Sequence, residues 1–362
     1  MSNPSHQQSH QSPAEVQSHI QALRAAYKRG NLALYLGAGV SKGNGLPTWS
    51  ELVLAMSFTA IEGDWKYQWR PFPNYLYAIA EWQLQRRTEP PEITAQKIRQ
   101  YYKVPAKFFE DLRTTLYVGG NFYGDGRQLR HANRLLDSVS KLCEGSRSEG
   151  SGIQAVVTYN YDNLLELATA QSVCKFVPVW RSSAPLQEGE RPIFHVHGYI
   201  PDRGSSSEPD GIVFTEAQYH AAANDPYSWS NLCQIQCMSS SVGLMVGLSL
   251  TDSNMRRLLN ALKITPLRKP SFALLKKPEW PTPAPAELEA IHDKAGQYLE
   301  RFTRSGIKAD PNRNNQILKI IQAVNQNEQK VHADMLKELG IEPIWFDEYE
   351  QLPGILDSIL AQ

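Results

Sequence analysis

Residues 31–51, NLALYLGAGVSKGNGLPTWSE, constrain the fold more than any other stretch. Leu32 to Leu36 form a short uninterrupted apolar run, the pattern of a parallel strand buried on both faces. The run ends in Gly37-Ala38-Gly39-Val40-Ser41. A strand that meets Gly-x-Gly needs a tight turn and a bare backbone, because something must approach the main chain closely. Phosphate is the usual visitor, held by N–H groups at the turn and at the following helix N-terminus. The dinucleotide fingerprint asks for a third glycine three residues after the second. Lys42 stands there instead, and the later glycines are Gly43 and Gly45. Thr48 and Glu51 form a capping box, so the next helix is predicted to begin at Thr48. That leaves 42–47 as a loop long enough to fold over a ligand.

Residues 1–11 are mostly Ser, Gln, His and Pro and read as a disordered tail. Ser12-Pro13-Ala14-Glu15 opens a helix with a capping box and a proline at its first position, and Gly30 closes it. From 65 to 123 the chain is crowded with aromatics, among them Trp65, Tyr75, Trp82, Tyr102, Phe108 and Phe109. Tyr75, Ile79 and Trp82 are spaced for one helix face. Residues 55–150 therefore read as an inserted helical subdomain whose aromatics form a core rather than a base-stacking platform. Strands are expected over 153–158, 176–180, 193–196, 242–247, 271–275 and 344–346. Helices are expected over 129–143, from Asn160 to 169, after Thr215, and over 252–262, 331–339 and 350–360. This alternation predicts an α/β fold: a Rossmann-like, doubly wound parallel sheet. Residues 12–362 would form one domain, with 263–362 completing the sheet.

Composition excludes several classes. Lys+Arg and Asp+Glu both number 37 in the 362 residues, so the formal net charge is zero. That argues against direct nucleic-acid binding by bulk electrostatics. No apolar run is long enough to span a membrane, and no basic-then-apolar signal opens the chain. Cys143, Cys174, Cys233 and Cys237 are too few and too scattered for a disulfide framework. A cytoplasmic location is the expectation.

Polar residues just after buried strands fall at the carboxyl edge of a parallel sheet, where ligands bind in such folds. Four clusters do so: 37–41, 160–163, 195–198 and 247–254. Asn160, Asp162, Ser249 and Asp252 could each be a helix cap, and His195 or His197 a satisfied core histidine. The recurrence of all four clusters in order points to a site.

In order and residue type the clusters resemble the sirtuin superfamily. Gly37-Ala38-Gly39-Val40-Ser41 followed by Gly45-Leu46-Pro47 and an aromatic, Trp49, is similar to its opening motif. Thr158-Tyr159-Asn160-Tyr161-Asp162-Asn163-Leu164-Leu165-Glu166 is similar to its Thr-x-Asn-x-Asp segment in the form found in bacterial sirtuin-like proteins. His197-Gly198 resembles the catalytic His-Gly, and Gly247-Leu248-Ser249 the Gly-x-Ser that faces the cofactor phosphates. Leu250-x-Asp252-x-Asn254 continues in the style of the bacterial branch. The resemblance covers residues 31–262. It departs from protein-deacetylating members between His-Gly and Gly-x-Ser, where two Cys-x-x-Cys pairs would hold structural zinc. Only Cys233 and Cys237, spaced Cys-x-x-x-Cys, lie there, so no zinc module and no metal are expected. These departures fit the branch that hydrolyses NAD, often as an effector of anti-phage defence.

The resemblance implies NAD as substrate and roles for its residues. Gly37, Ala38, Gly39, Ser41, Gly247 and Ser249 would anchor the pyrophosphate. Pro47, Trp49 and Asp252 would complete the cofactor pocket, and Asp162 would bind the carboxamide. Asn160 would hold the ribose and the attacking water, and His197 would act as base, its imidazole titrating near neutral pH. His195 is the weaker candidate; two residues back on a strand, it should share a face with His197. Three activities remain open at this point: NAD glycohydrolase, zinc-independent deacylase or ADP-ribosyltransferase, and non-catalytic NAD or ADP-ribose sensor. A free NADase would drain its own cell. A homo-oligomer and a separately encoded activating or inhibiting protein (an ATPase, an Argonaute-like protein or a nucleotide-sensing enzyme) are therefore expected to restrain it.

Overall fold

A computed structural model of the chain describes residues 11–64, 90–117, 133–145, 150–183, 186–203, 211–265, 268–278, 283–302 and 313–361. The expected helix face at Tyr75, Ile79 and Trp82 lies outside the described residues.

Seven strands form one parallel sheet in the order β3-β4-β2-β1-β5-β6-β7. They are β1 Leu32–Leu36, β2 Ile153–Thr158, β3 Phe176–Val179, β4 Arg191–His195, β5 Val242–Val246, β6 Ser271–Lys276 and β7 Ile341–Phe346. Central β1 pairs with β2 on one side and β5 on the other. All five of its side chains are buried. Leu32, Leu34 and Leu36 enter one core layer, and Ala33 and Tyr35 the opposite one. Each buried leucine contributes about 2 kcal/mol, which is why an uninterrupted apolar run marks a strand covered on both faces.

Helix α1 (Pro13–Lys28) opens as expected, with Ser12 Oγ accepting from Glu15 N at 3.1 Å. Gln11, assigned to the tail by the sequence, is docked instead. Its amide donates to Pro343 O and accepts from Trp345 N, occupying backbone groups of edge strand β7. After β1 the chain turns directly into a short helix, α2 (Ala38–Lys42), with Gly37 at its N-cap. The 42–47 loop expected from the late capping box is thus shorter at its start. α3 (Trp49–Asp64) follows, and Glu51 accepts from both Thr48 N and Thr48 Oγ1. The Glu51 half of the capping box is therefore present, while Thr48 donates its hydroxyl rather than accepting.

Every described element between β1 and β2 is helical: α2, α3, α4 (Pro91–Tyr101), α5 (Pro105–Leu116) and α6 (Arg134–Glu144). These helices share the sheet's core: Ala95, Ile98, Phe108, Leu112 and Leu116 belong to the same buried cluster as Leu34. Phe108 sits edge-on to Phe214, with ring centroids 5.4 Å apart. β2 is followed by α7 (Leu164–Ala168), and β4 by α8 (Glu216–Asn224), which Thr215 and Gln218 cap reciprocally. α9 (Trp229–Ser240) precedes β5, and α10 (Ser253–Leu262) follows it. Beyond residue 262 lie β6, α11 (Pro285–Phe302), α12 (Arg313–Glu338), β7 and α13 (Leu352–Leu360). Both C-terminal strands extend the sheet from β5. The topology switches at β1 and β5, whose outgoing connections run in opposite directions along the sheet. The crevice at their carboxyl ends is where a doubly wound sheet binds ligands.

Candidate active site

The Gly-x-Gly turn meets the end of β5 in that crevice. Gly37 N donates to Val246 O, and Gly39 N to Gly247 O, both at 3.1 Å. A Cβ on Gly37 would lie 2.5 Å from Gly247 O, and one on Gly39 2.8 Å from Gly247 Cα. Gly247 itself has φ +67°, a conformation other residues adopt only with strain. The glycines are therefore required by the contact between the two loops, and the Gly37 and Gly39 N–H groups are already spent. Ser249, next in the β5 loop, is exposed, with its hydroxyl 2.7 Å from that of Thr251. Leu250 is held at φ +58°, the kind of strain stored where a loop is over-determined.

Asn160 is the hub of the second cluster. Its Nδ2 donates to Gly37 O at 3.0 Å and to Ser41 Oγ at 3.2 Å. Ser41 Oγ in turn donates to Asp162 Oδ2 at 2.9 Å, and Asp162 Oδ1 accepts from Leu164 N at 3.0 Å. Asn160 is thus no helix cap: α7 begins at Leu164, and Asp162 satisfies its first N–H. Both amide hydrogens of Asn160 are committed to the protein, and its Oδ1 takes no hydrogen bond among the described residues. Burial pushes the Asp162 carboxyl up, against the Leu164 N–H and Ser41 hydroxyl that favour its charge.

The two histidines part company. β4 ends at His195, and the chain then turns, with Gly198 N donating back to His195 O at 3.0 Å and Gly198 at φ +102°. The shared face expected for His195 and His197 is therefore absent. His195 is buried, with Nδ1 3.0 Å from Asn160 O and Nε2 2.6 Å from Glu166 Oε1. His197 lies between the edges of Tyr159 and Tyr219, with ring centroids 5.1 and 5.4 Å away. Its Nε2 stands 3.3 Å from Asp252 Oδ2. Asp252 also caps α10, its Oδ1 accepting from Met255 N at 2.6 Å. Burial alone would push the Asp252 carboxyl up. The His197 charge and hydrogen bond, with the Met255 and Asn254 N–H groups, outweigh it and leave the carboxyl below its ordinary value. A carboxylate on Nε2 leaves Nδ1 of His197 as the nitrogen able to take a proton.

Trp49 opens α3 and packs edge-on against Phe214 at 4.9 Å, with Tyr161 and Tyr219 both at 6.4 Å. Its indole N–H is buried without a partner among the described residues. Pro47 is half-buried just before it. The Ser41, Asn160, Asp162, Glu166 and His195 cluster encloses a cavity of about 10 Å³, the room of one water. A dinucleotide would meet this network only at its rim.

Two supporting residues have no signal of their own in the sequence. Asn133 caps α6 through Leu135 N and Leu136 N, and its amide also donates to Val40 O at 3.2 Å, bracing the first loop. Gln234 accepts from Tyr159 Oη at 2.6 Å. A third, Glu166, stood in plain view within the Thr158–Glu166 segment, but its partner lies 29 residues away. Among the described residues one trio of potential metal ligands lies close together: Glu15, His19 and Glu342. Lys337 already stands 3.7 and 3.8 Å from the two carboxylates. Cys233 and Cys237 sit one turn apart on α9; burial pushes the Cys233 thiol up and the Cys237 thiol up to about 12.

No helix among the described residues is long and apolar enough to cross a membrane. No curated protein matches the chain. Residues 154–299 match the family model described as SIR2-like domain, a stretch that takes in Asn160, His197 and the Gly247 to Asp252 loop. With the parallel sheet and its convergent strand ends, this match supports the sirtuin-like superfamily and NAD-related chemistry for the chain.

Proposed function

We propose that the protein is an NAD+ glycohydrolase. The observation that carries this reading is the presence of two groups just beyond the carboxyl ends of the neighbouring strands β2 and β4. Asn160 has an unspent amide oxygen held by a braced side chain, and His197 is backed by the Asp252 carboxylate. The nicotinamide of NAD is a cationic leaving group on the ribose C1′. As the C1′–N bond breaks, its electron pair leaves with neutral nicotinamide and C1′ becomes oxocarbenium-like. Water attached through Asn160 Oδ1 forms the new C1′–O bond and gives its proton to His197 Nδ1. The products are nicotinamide, ADP-ribose and one proton. Asp252 stabilises the imidazolium that results, and the Asp162 carboxylate, where ionised, favours the developing cation.

The proposal extends to control. Unrestrained hydrolysis would exhaust the host's own NAD, which supports a homo-oligomer or a separately encoded partner as the trigger, and a role in anti-phage defence by NAD depletion. The test is nicotinamide release from NAD with no acylated peptide present. Release supports hydrolysis. Release only with an acylated peptide supports a deacylase, and tight NAD binding without release supports a sensor.

A further inference from the structure

Behind Asn160 lies an ionisable pair, His195 buried and Glu166 partly so, that the proposed chemistry does not use. We infer that Glu166 and His195 are positioning residues that share a proton and, through it, hold the Asn160 main chain in its reactive arrangement. The kinetic consequence rests on the hydrolase reading; the proton arrangement rests on geometry alone.

A backbone carbonyl oxygen can only accept a hydrogen bond. Nδ1 of His195, 3.0 Å from Asn160 O, therefore carries a proton. The other ring nitrogen stands 2.6 Å from Glu166 Oε1, a separation that requires a proton between the two atoms. Ring and carboxyl together hold one proton more than a neutral imidazole beside a carboxylate. Glu166 makes no other hydrogen bond among the described residues, and its Oε2 is buried without a partner. Burying a carboxyl is costly unless it is paired, so the imidazole is what retains Glu166 here. The ring is 1% exposed and lies against Tyr199, with centroids 4.5 Å apart.

What the ring holds is the Asn160 peptide. Asn160 N donates to Thr158 Oγ1 at 3.1 Å while its carbonyl accepts from His195. Restrained on both sides, the residue directs Nδ2 to Gly37 O and Ser41 Oγ. Glu166 holds the ring through the proton at Nε2, His195 holds the carbonyl through Nδ1, and Asn160 is left with one orientation. Loss of either partner frees the peptide without removing any group that meets substrate.

The experiment combines steady-state kinetics, melting curves and ring ¹⁵N NMR of the full-length chain. Glu166→Ala and His195→Ala should lower kcat about tenfold to a hundredfold, the scale of a slightly misplaced reacting group, with KM within about threefold. His195→Asn can place an amide donor where Nδ1 stood and should recover much of the kcat lost in His195→Ala. In the wild type, Nδ1 of His195 should be protonated and Nε2 should share the second proton with Glu166; Glu166→Ala should lose the proton at Nε2 while Nδ1 keeps its own. Wild-type kcat in folded Glu166→Ala overturns the inference, as does a bare Nδ1 in the wild type. If the alanine variants fail to fold, the wild-type spectrum and His195→Asn still decide. A wild type with protonated Nδ1 that releases no nicotinamide supports the pair while overturning the hydrolase reading.

Discussion

Asn160→Asp separates the possible roles of Asn160 most sharply. Were Asn160 a helix cap, aspartate would keep the acceptor and cost little, while alanine would cost about 1 kcal/mol. The structure reverses that order. Asn160 acts as a donor, with Nδ2 3.0 Å from Gly37 O and 3.2 Å from Ser41 Oγ. Removing two hydrogen bonds costs about 2 kcal/mol in all. Gly37 O keeps its bond from Val40 N at 3.0 Å, so alanine leaves no orphaned carbonyl. Aspartate does worse, because it sets a carboxylate against that carbonyl oxygen. It also competes with Asp162 for the one Ser41 hydroxyl hydrogen, beside a carboxyl that burial already disfavours in its charged form. Asn160→Asp should therefore melt below Asn160→Ala. Both should lose NAD hydrolysis by at least about a hundredfold, the loss expected when a positioned transition-state contact goes. Nicotinamide release and a melting curve for each variant, under whatever condition activates the wild type, make the test. An active Asn160→Asp enzyme refutes the catalytic role, and one that melts at the wild-type temperature refutes the donor network.

His197→Ala should abolish NAD hydrolysis while circular dichroism and NAD binding stay near wild type; near-normal turnover would exclude His197 as the base. Asp252→Asn keeps an α10 cap but loses the charge beside His197, so kcat should fall while the fold persists. Asp252 is depressed in the folded protein, so its charge contributes stability above its unfolded value of about 4, lost as pH falls through the lower folded value. The stability gap between wild type and Asp252→Asn, measured by urea titration, should accordingly narrow below about pH 4; a gap that widens there contradicts the ion pair. Gly247→Ala places a Cβ 2.7 Å from Val40 N at φ +67°, and the left-handed backbone alone costs about 1–3 kcal/mol, so melting should drop clearly. An unchanged melting temperature would mean that the two loops do not touch.

Much of the fold was legible because its signals are local. The Leu32–Leu36 run announces a strand buried on both faces, and Ser12 and Thr215 announce helix starts through partners three residues away. The four strand-end clusters could be placed on one edge because a parallel sheet sends every carboxyl end the same way. Boundaries slipped where local signals competed. The capping box at Thr48 hid the short α2 that starts at Ala38, and α12 runs 26 residues where periodicity marked only its end.

The assignment of partners needed the tertiary structure. Gly37 and Gly39 read in sequence as room for a phosphate, yet the backbone they admit is that of Gly247. Asn160 reads as a cap or a ligand group, yet its donors go to residues 123 and 119 positions away. His195 and His197 are two residues apart and share a motif. Only the end of β4 and the turn through Gly198 send one to Glu166 and the other to Asp252. Residue type and spacing specify which chemistry a chain carries and on which sheet edge it lies, because strand direction and caps depend on near neighbours. Which donor meets which acceptor depends on contacts closed across a hundred residues, and those form only when the sheet and its two helical layers pack.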